Sequence, residues 1–288
     1  MGPSWKLIDR SKSVCQDKYI GMRKLLPIIV VLLIFGGIGF FFFKGKKTAG
    51  PLPGFSITGT TQVSLEERPF VTLTPRADGH EIKLEIQNIK NAQTVEYELA
   101  YMAGEFSRGT IGEAKLEGAD SLSRNLLLGS ESCSGTGEKK VCRYKYDEGV
   151  SEGTLTLRLR KDSSAQKYEI AFHLQQGAEA KKGLTSGDGN FEFKGSLSSS
   201  AFFLIHSTVG LPKAPDGKVI GGSYGIFTSG SPTVKGTVKL RLNQATQSVK
   251  VLAWDGSSWK PYAKGLATDG QTVSVEVDRL TTFVAVAP

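Results

Sequence analysis

The stretch His80-Glu-Ile-Lys-Leu-Glu-Ile-Gln87 decides the fold class, because its apolar and polar residues alternate without interruption. Ile82, Leu84 and Ile86 fall on one face of an extended chain, and the charged or amide side chains between them fall on the other. This period of two is typical of a β-strand with one face buried and one face in water. The preceding Asp78-Gly79 favours a tight turn, so the strand is predicted to begin at a hairpin.

The same strand-like pattern recurs on both sides of this stretch. Short polar turns separate the repeats, and no convincing amphipathic helix lies between them. Such a series predicts an all-β fold of the sandwich type. Further strands are predicted at 70–74, 94–101, 109–116, 124–129, 141–146, 153–160, 167–174, 191–193, 201–206, 224–228, 236–242, 248–254, 271–277 and 281–286.

A polar, turn-rich segment at 177–190 interrupts this series and predicts a domain boundary. We therefore expect two Ig-like β-sandwich domains, one at 66–176 and one at 191–288, with 177–190 as a linker. The segment 44–65 contains the Lys, Gly and Pro residues that are typical of linkers, and it is predicted to hold the first domain off a membrane.

The membrane prediction rests on Leu25 to Phe43, which are nineteen consecutive residues without a charge. A helix of this length would reach about 28 Å, close to the thickness of the hydrocarbon core of a bilayer. A soluble helix of this length would have a polar face, and this segment has none. The sequence therefore predicts one transmembrane helix in contact with the lipid bilayer, after a short basic tail at 1–24.

Lys and Arg residues around this segment indicate its orientation. Six of them precede it and three follow it within 44–47, so the N-terminus is predicted to be cytoplasmic and the C-terminal domains extracytoplasmic. Two alternatives remain open. A cleaved signal peptide would also place the remainder outside the cytoplasm, whereas a true start at Met22 would remove most of the charges that set the orientation.

The formal net charge of +8 is concentrated near the N-terminus. Residues 1–50 hold nine of the 36 Lys and Arg residues and two of the 28 Asp and Glu residues, so 27 basic and 26 acidic residues remain in 51–288. The basicity is therefore interpreted as a membrane topology signal, and no nucleic-acid partner is expected. Residues 201–250 hold six Lys or Arg against Asp216 alone, which indicates either a solvated sheet face or a weak site for an anionic polymer.

Cys133 and Cys142 lie in a polar loop that enters a predicted strand. Because an exported protein meets oxidising conditions, they are predicted to form a disulfide. The alternatives are two free thiols or half of a metal site, although no His or Cys partner lies nearby at ligand spacing. Cys15 falls on the cytoplasmic side of the predicted membrane segment and should be reduced.

The sequence contains no recognisable catalytic motif. It has no G-x-S-x-G, H-E-x-x-H, S-x-x-K or P-loop pattern, and its histidines, His80, His173 and His206, fall at strand ends or within alternating patterns. We therefore expect no enzymatic activity, no cofactor and no metal site. Asp188-Gly-Asn190 resembles a fragment of a calcium loop, but it lacks the first ligand positions and the terminal glutamate.

The clearest binding feature is Trp254-Asp-Gly-Ser-Ser-Trp259, followed by Tyr262. Asp255-Gly256 favours a tight turn, so the two tryptophans are predicted to flank a hairpin loop. Trp254, Trp259 and Tyr262 are candidate ligand-binding residues that would stack on sugar rings or enter a partner surface. The structural alternative is that the tryptophans close a sandwich core.

Two parts of the chain resemble bacterial surface proteins. The closing run, with Val249-Lys-Val-Leu-Ala-Trp254 and Leu280-Thr-Thr-Phe-Val-Ala-Val286, resembles the terminal β-sandwich modules of cell-surface proteins. The Cys133/Cys142 loop and Gly153-Thr-Leu-Thr-Leu-Arg158 resemble uncharacterised single-pass cell-envelope proteins with extracytoplasmic Ig-like domains. The resemblance implies location and fold, and it transfers no functional residue.

These observations lead to a hypothesis of function with two alternatives. The first is a membrane-anchored extracytoplasmic β-sandwich protein for adhesion, ligand binding or envelope structure, with an envelope protein or a glycan as its partner. The second is a carbohydrate-binding or carbohydrate-processing surface protein. The third is a non-catalytic subunit of a larger envelope assembly that docks through exposed strand edges.

Overall fold

The computed structural model describes residues 63–287, which belong to one compact unit, and it shows an all-β protein. Apart from two 3₁₀ turns at Gly137–Lys139 and Ala180–Lys182, the regular elements of these residues are strands. None of the helical elements in this part of the chain is long and apolar enough to cross a membrane. The predicted tail at 1–24 and the predicted transmembrane helix at 25–43 lie outside the described residues, as does nearly all of the predicted linker at 44–65.

Residues 63–287 form twenty strands, and every pairing between these strands is antiparallel. In chain order they are β1 (Phe70–Pro75), β2 (Glu81–Gln87), β3 (Thr94–Ala103), β4 (Phe106–Lys115), β5 (Leu122–Leu127), β6 (Gly129–Ser134), β7 (Val141–Tyr146), β8 (Val150–Lys161), β9 (Ser164–Gln176), β10 (Leu184–Thr185), β11 (Phe191–Gly195), β12 (Phe202–Ser207), β13 (Lys218–Val219), β14 (Tyr224–Thr228), β15 (Gly236–Arg241), β16 (Lys250–Trp254), β17 (Trp259–Tyr262), β18 (Ala267–Thr268), β19 (Thr272–Val277) and β20 (Thr282–Ala287).

These strands form four sheets. The largest has ten strands in the order β17-β16-β20-β14-β12-β9-β8-β3-β4, with β13 attached to β20. A three-stranded sheet has the order β1-β2-β5, and a five-stranded sheet has the order β10-β11-β15-β19-β18. Strands β6 and β7 form a separate hairpin of two strands.

The strand predicted from the opening stretch is confirmed. In β2 the side chains of Ile82, Leu84 and Ile86 are fully buried, while Lys83 and Gln87 are exposed. Strand β2 is the central strand of its sheet, with β1 on one side and β5 on the other. The alternation therefore gives the sheet one apolar face, and that face packs on the ten-stranded sheet.

Two large hydrophobic cores use opposite faces of the ten-stranded sheet. The first lies under the three-stranded sheet and contains residues of β3, β8 and β9. The second lies under the five-stranded sheet and contains residues of β14, β16 and β20. Strand β12 belongs to both cores, because Leu204 enters the first core while Phe203 and Ile205 enter the second.

The segment 177–190 is not the free linker that the sequence predicted. Leu184 is fully buried in the second core, Ala180 is buried beside it, and β10 pairs with β11. In addition, β9 pairs directly with β12 across this segment, so one sheet runs continuously between the two predicted domains. The predicted boundary coincides with the change of core, but no gap in hydrogen bonding separates the two halves.

The two edges of the ten-stranded sheet differ. At one edge lies β4, which has ten residues, pairs only with β3 and leaves Phe106 68% and Ile111 80% exposed. At the other edge lies β17, which has four residues and includes Pro261. Proline has no backbone N–H to donate, so β17 ends the sheet whereas β4 leaves backbone groups unpaired.

Candidate functional site

The structure brings two of the three predicted aromatic site residues together. Trp254 and Trp259 face each other across β16 and β17, with ring centroids 5.4 Å apart and ring planes inclined at 64°. This is an edge-to-face pair rather than a coplanar platform. Tyr262 lies on the other face of β17, where its ring centroid is 6.5 Å from that of Phe283 in the second core.

Both Trp259 and Tyr262 have bonding partners within the protein. The indole Nε1 of Trp259 donates to the carbonyl oxygen of Lys213 at 2.7 Å, and the ring packs on a small apolar cluster that includes Leu252. The hydroxyl of Tyr262 donates to Asp278, and partial burial, followed by this carboxylate, raises the pKa of Tyr262 to about 12. These contacts hold β17 on the rest of the sheet.

The turn between the tryptophans has the predicted position. Asp255 accepts hydrogen bonds from the backbone N–H groups of Ser257 and Ser258 at 2.8 and 2.7 Å, which lowers the pKa of its carboxyl group. A pocket of about 300 Å³ lies beside this turn, lined by Trp254 and Tyr262.

A second cavity is a cleft of about 680 Å³, and sequence reasoning did not locate it. Segments that are distant in the sequence form its walls, and we name the cavity the inter-core cleft because its lining residues come from both cores. The volume falls within the usual range for small-molecule sites. The charged and hydrogen-bonding residues of the lining include Arg68, Glu169, Asp188, Asn190, Tyr224 and Arg241.

Asp188 organises one wall of the inter-core cleft. Its carboxylate accepts hydrogen bonds from the hydroxyl of Tyr224 at 2.6 Å, from the hydroxyl of Ser186 at 2.6 Å and from the backbone N–H of Asn190 at 3.1 Å. Burial, together with the nearby carboxylate, raises the pKa of Tyr224. The predicted calcium-loop fragment is therefore a turn whose carboxylate is engaged by three protein donors.

Cationic side chains stand on other walls of the cleft. Arg68 is half-buried, its Nε donates to the carbonyl oxygen of Val63 at 2.9 Å, and burial lowers its pKa. Arg241 is the last residue of β15 and is exposed. Glu169, the remaining charged residue of the lining, forms an ion pair with Lys167. The charged lining residues are therefore two arginines and two carboxylates: Glu169 is ion-paired with Lys167, whereas Asp188 is bonded to neutral donors and keeps its negative charge.

A strained turn closes one end of the cleft. Val209 is a β-branched residue with φ +66°, and the N–H of Gly210 donates to the carbonyl oxygen of Thr208 at 2.8 Å, which makes a tight turn of three residues. The hydroxyl of Thr208 donates to that of Ser223 at 2.7 Å, and both residues are buried. Such strain, of order 1–3 kcal/mol, persists only where the surrounding structure fixes it.

The predicted disulfide between Cys133 and Cys142 is present, with the two Sγ atoms 2.10 Å apart. The cysteines are directly opposite each other in β6 and β7, which is why the pairing needs no long loop. Among residues 63–287, the one group of side chains with metal-ligand geometry is Glu131 with these two cysteines. Since the disulfide uses both sulfur atoms, this group offers a metal only a carboxylate.

The hairpin that contains this disulfide carries an exposed row of aromatic rings, which sequence reasoning also missed. Val141, Tyr144 and Tyr146 are 61%, 51% and 36% exposed, although their strand alternates like a half-buried one. A signal was available in the partner strand, since Gly129–Ser134 contains no large apolar residue that would cover them. A strand without an apolar partner cannot form a core on either face.

No protein-family model, no curated protein and no solved structure matches the chain. No matched protein therefore assigns an activity to this fold.

Proposed function

We propose that the chain is a membrane-anchored, extracytoplasmic and non-enzymatic binding protein, whose two halves are Ig-like β-sandwiches that share a sheet. Its predicted transmembrane helix, Leu25 to Phe43, would hold the binding body at the membrane surface. The inter-core cleft would bind a small molecule that carries a carboxylate or phosphate group. Within the first hypothesis, ligand binding is thus favoured over a purely adhesive or structural role.

The observation that carries the proposal is the presence of two arginines, Arg68 and Arg241, in the lining of the cleft. Of the two carboxylates there, Glu169 is ion-paired with Lys167, and Asp188 is held in its wall by the hydroxyl groups of Tyr224 and Ser186. A guanidinium can bind a carboxylate or phosphate group through two parallel hydrogen bonds, so arginines on the walls of a cleft favour such a ligand. Walls built from both cores are also rigid, so little conformational entropy is lost on binding.

The exposed disulfide supports the extracytoplasmic part of the proposal. Cys133 and Cys142 lie in a solvated hairpin, where a reducing cytosol would keep them as thiols. The carbohydrate alternative at Trp254, Trp259 and Tyr262 has less support, because the tryptophan rings are inclined and Tyr262 lies on the other face. The alternative of an assembly subunit has its support in the open edge of β4.

The test is a binding screen with and without a charge reversal at the cleft. The full-length chain in detergent would be mixed with small carboxylates and phosphates, such as acetylated amino acids and sugar phosphates, and its thermal unfolding followed. A ligand present at 100 times its Kd stabilises the folded state by about 2.7 kcal/mol. Arg241→Glu should weaken binding about tenfold or more, because it replaces an attraction by a repulsion.

Lys239→Glu is the matched control, since Lys239 is exposed on the same strand, changes the net charge equally and lies outside the cleft lining. Binding to this variant should equal binding to the parent chain. Equal losses in the two variants would contradict the cleft as the site, as would the absence of any stabilising anion from the screen. Comparing the carboxylate and phosphate members identifies which group the cleft prefers.

A further inference from the structure

The hairpin of β6 and β7 stands apart from both cores. Nearly every residue of its two strands is exposed or half-exposed, and these strands pair only with each other. It nevertheless carries three of the six large apolar residues that are exposed among the described residues, Val141, Tyr144 and Tyr146. Exposed apolar side chains gathered on one small element commonly mark an interaction site.

Its aromatic residues share one face and are parallel. Tyr144 and Tyr146 are two positions apart in β7, their ring planes are inclined by only 4° and their centroids are 6.2 Å apart. His80, the residue before β2, stacks on Tyr146 with centroids 3.9 Å apart and planes inclined by 6°. We name His80, Tyr146 and Tyr144 the tyrosine row. His80 covers one face of Tyr146, and Tyr144 is the more exposed of the two tyrosines.

Polar groups border the tyrosine row. The hydroxyl of Tyr144 is hydrogen-bonded to the carboxylate of Glu131, which raises the pKa of Tyr144. Arg76, which also hydrogen-bonds Tyr146, forms ion pairs with Asp78 and Glu81 at 2.6 Å each. The row thus combines apolar ring surface with hydrogen-bond donors and acceptors at its margin.

We propose that the tyrosine row is a binding site for an uncharged polysaccharide, in which pyranose rings lie on the tyrosines and sugar hydroxyls bond to the bordering carboxylates and Arg76. A pyranose has an apolar face of C–H groups and a rim of hydroxyls, which matches this combination of ring surface and polar border. An acidic polysaccharide is disfavoured, because Arg76, the cation of this border, is already ion-paired with Asp78 and Glu81. A protein partner normally needs about 1,000 Å² of complementary surface, which is more than a row of three rings supplies.

The hairpin is also prepared for binding before a ligand arrives. The disulfide joins β6 to β7 at Cys133 and Cys142, and the stacking on His80 fixes Tyr146 against the body of the protein. Aromatic side chains have few rotatable bonds, so a fixed row of them binds with a small loss of entropy. This site is separate from the inter-core cleft and does not depend on the ligand proposed there.

The experiment measures depletion of the full-length chain by insoluble chitin and by cellulose, in a detergent that has no sugar headgroup. Retention on at least one of them is expected, and Tyr144→Ser and Tyr146→Ser should each weaken it about tenfold, since each removes a stacked ring. Tyr144→Phe keeps the ring and should bind nearly as well as the parent chain. Reduction of the disulfide should also weaken retention.

Val141→Ser is the matched control, because Val141 is even more exposed than Tyr144 on the same strand but points to the opposite face. This variant should bind like the parent chain, and binding of the anion at the cleft should be unchanged in Tyr144→Ser. The proposal is overturned if Val141→Ser weakens retention as much as Tyr144→Ser does. It is also overturned if neither polysaccharide retains the chain, or if retention is stronger on acidic alginate.

Discussion

At the scale of single residues, His206 shows how a buried polar group links two sheets. Its Nδ1–H donates to the carbonyl oxygen of Ser207 at 2.7 Å, and its Nε2 accepts the backbone N–H of Leu73 in β1 at 3.1 Å. These two bonds require a neutral imidazole with its proton on Nδ1. Complete burial lowers the pKa of His206 to about 4, so the ring stays neutral in the folded protein at neutral pH.

This histidine predicts an acid-sensitive stability. Below pH 6.5 the unfolded chain binds a proton at His206 while the folded chain does not until about pH 4, so stability present above pH 6.5 is lost as the pH falls towards 4. The loss between pH 7 and 4.5 should be about 2 kcal/mol in the free energy of unfolding, measured by urea titration. His206→Gln keeps a hydrogen-bond acceptor but does not titrate. Over the same pH range its free energy of unfolding should fall by about 2 kcal/mol less than that of the parent chain. Identical pH profiles of the two proteins would contradict this role.

At the scale of elements, β12 is the strand that joins the two hydrophobic cores through one continuous sheet. It pairs with β9 on one side and β14 on the other, and its four central residues are all buried. Because both of its faces are covered, its sequence is a continuous apolar run rather than an alternation. The sequence marked this strand correctly but gave no sign that it serves both cores.

This sharing predicts a single unfolding transition. Leu204→Ala should open a cavity in the first core and Ile205→Ala one in the second, each costing about 2–5 kcal/mol. If the sheet couples the cores, calorimetry of the parent chain shows one transition, and both variants lower its Tm. Two transitions, with the Tm of each lowered by only one of these variants, would instead indicate the two independent domains that the sequence predicted.

The limits of sequence reasoning are clearest at the same scale. Strand β2 was predictable because the alternation of Ile82, Leu84 and Ile86 is a local signal. The inter-core cleft was not, since Arg68, Asp188 and Arg241 meet only through pairings between distant strands. The tyrosine row was missed because β7 alternates like a core strand, and only its serine-rich partner strand β6 reveals that no core can form there.

At the scale of the whole molecule, the proposed topology is a prediction that starts from the charge distribution along the sequence. The body at 51–288 is nearly neutral, whereas the excess of basic residues lies beside the apolar segment. A neutral body has no strong field to draw it to anionic lipids. Its distance from the membrane would then be set by the segment 44–65 rather than by electrostatic attraction.

Protease treatment of intact cells tests this topology. Peptides from 63–288 should be released into the medium, and a non-reducing digest analysed by mass spectrometry should contain Cys133 linked to Cys142. Cys15 should remain with the cells as a free thiol. Protection of 63–288, together with free Cys133 and Cys142, would invert the orientation and move the search for a ligand to the cytoplasm.

The unequal edges of the large sheet limit how copies of the chain can add to one another. Strand β4 offers unpaired backbone groups along ten residues, whereas β17 is short and interrupted by Pro261. Growth of a fibre by this sheet would require each molecule to be joined at both ends. Because only the β4 edge is open, association of copies through this sheet would stop at a pair and would not continue into an open-ended polymer.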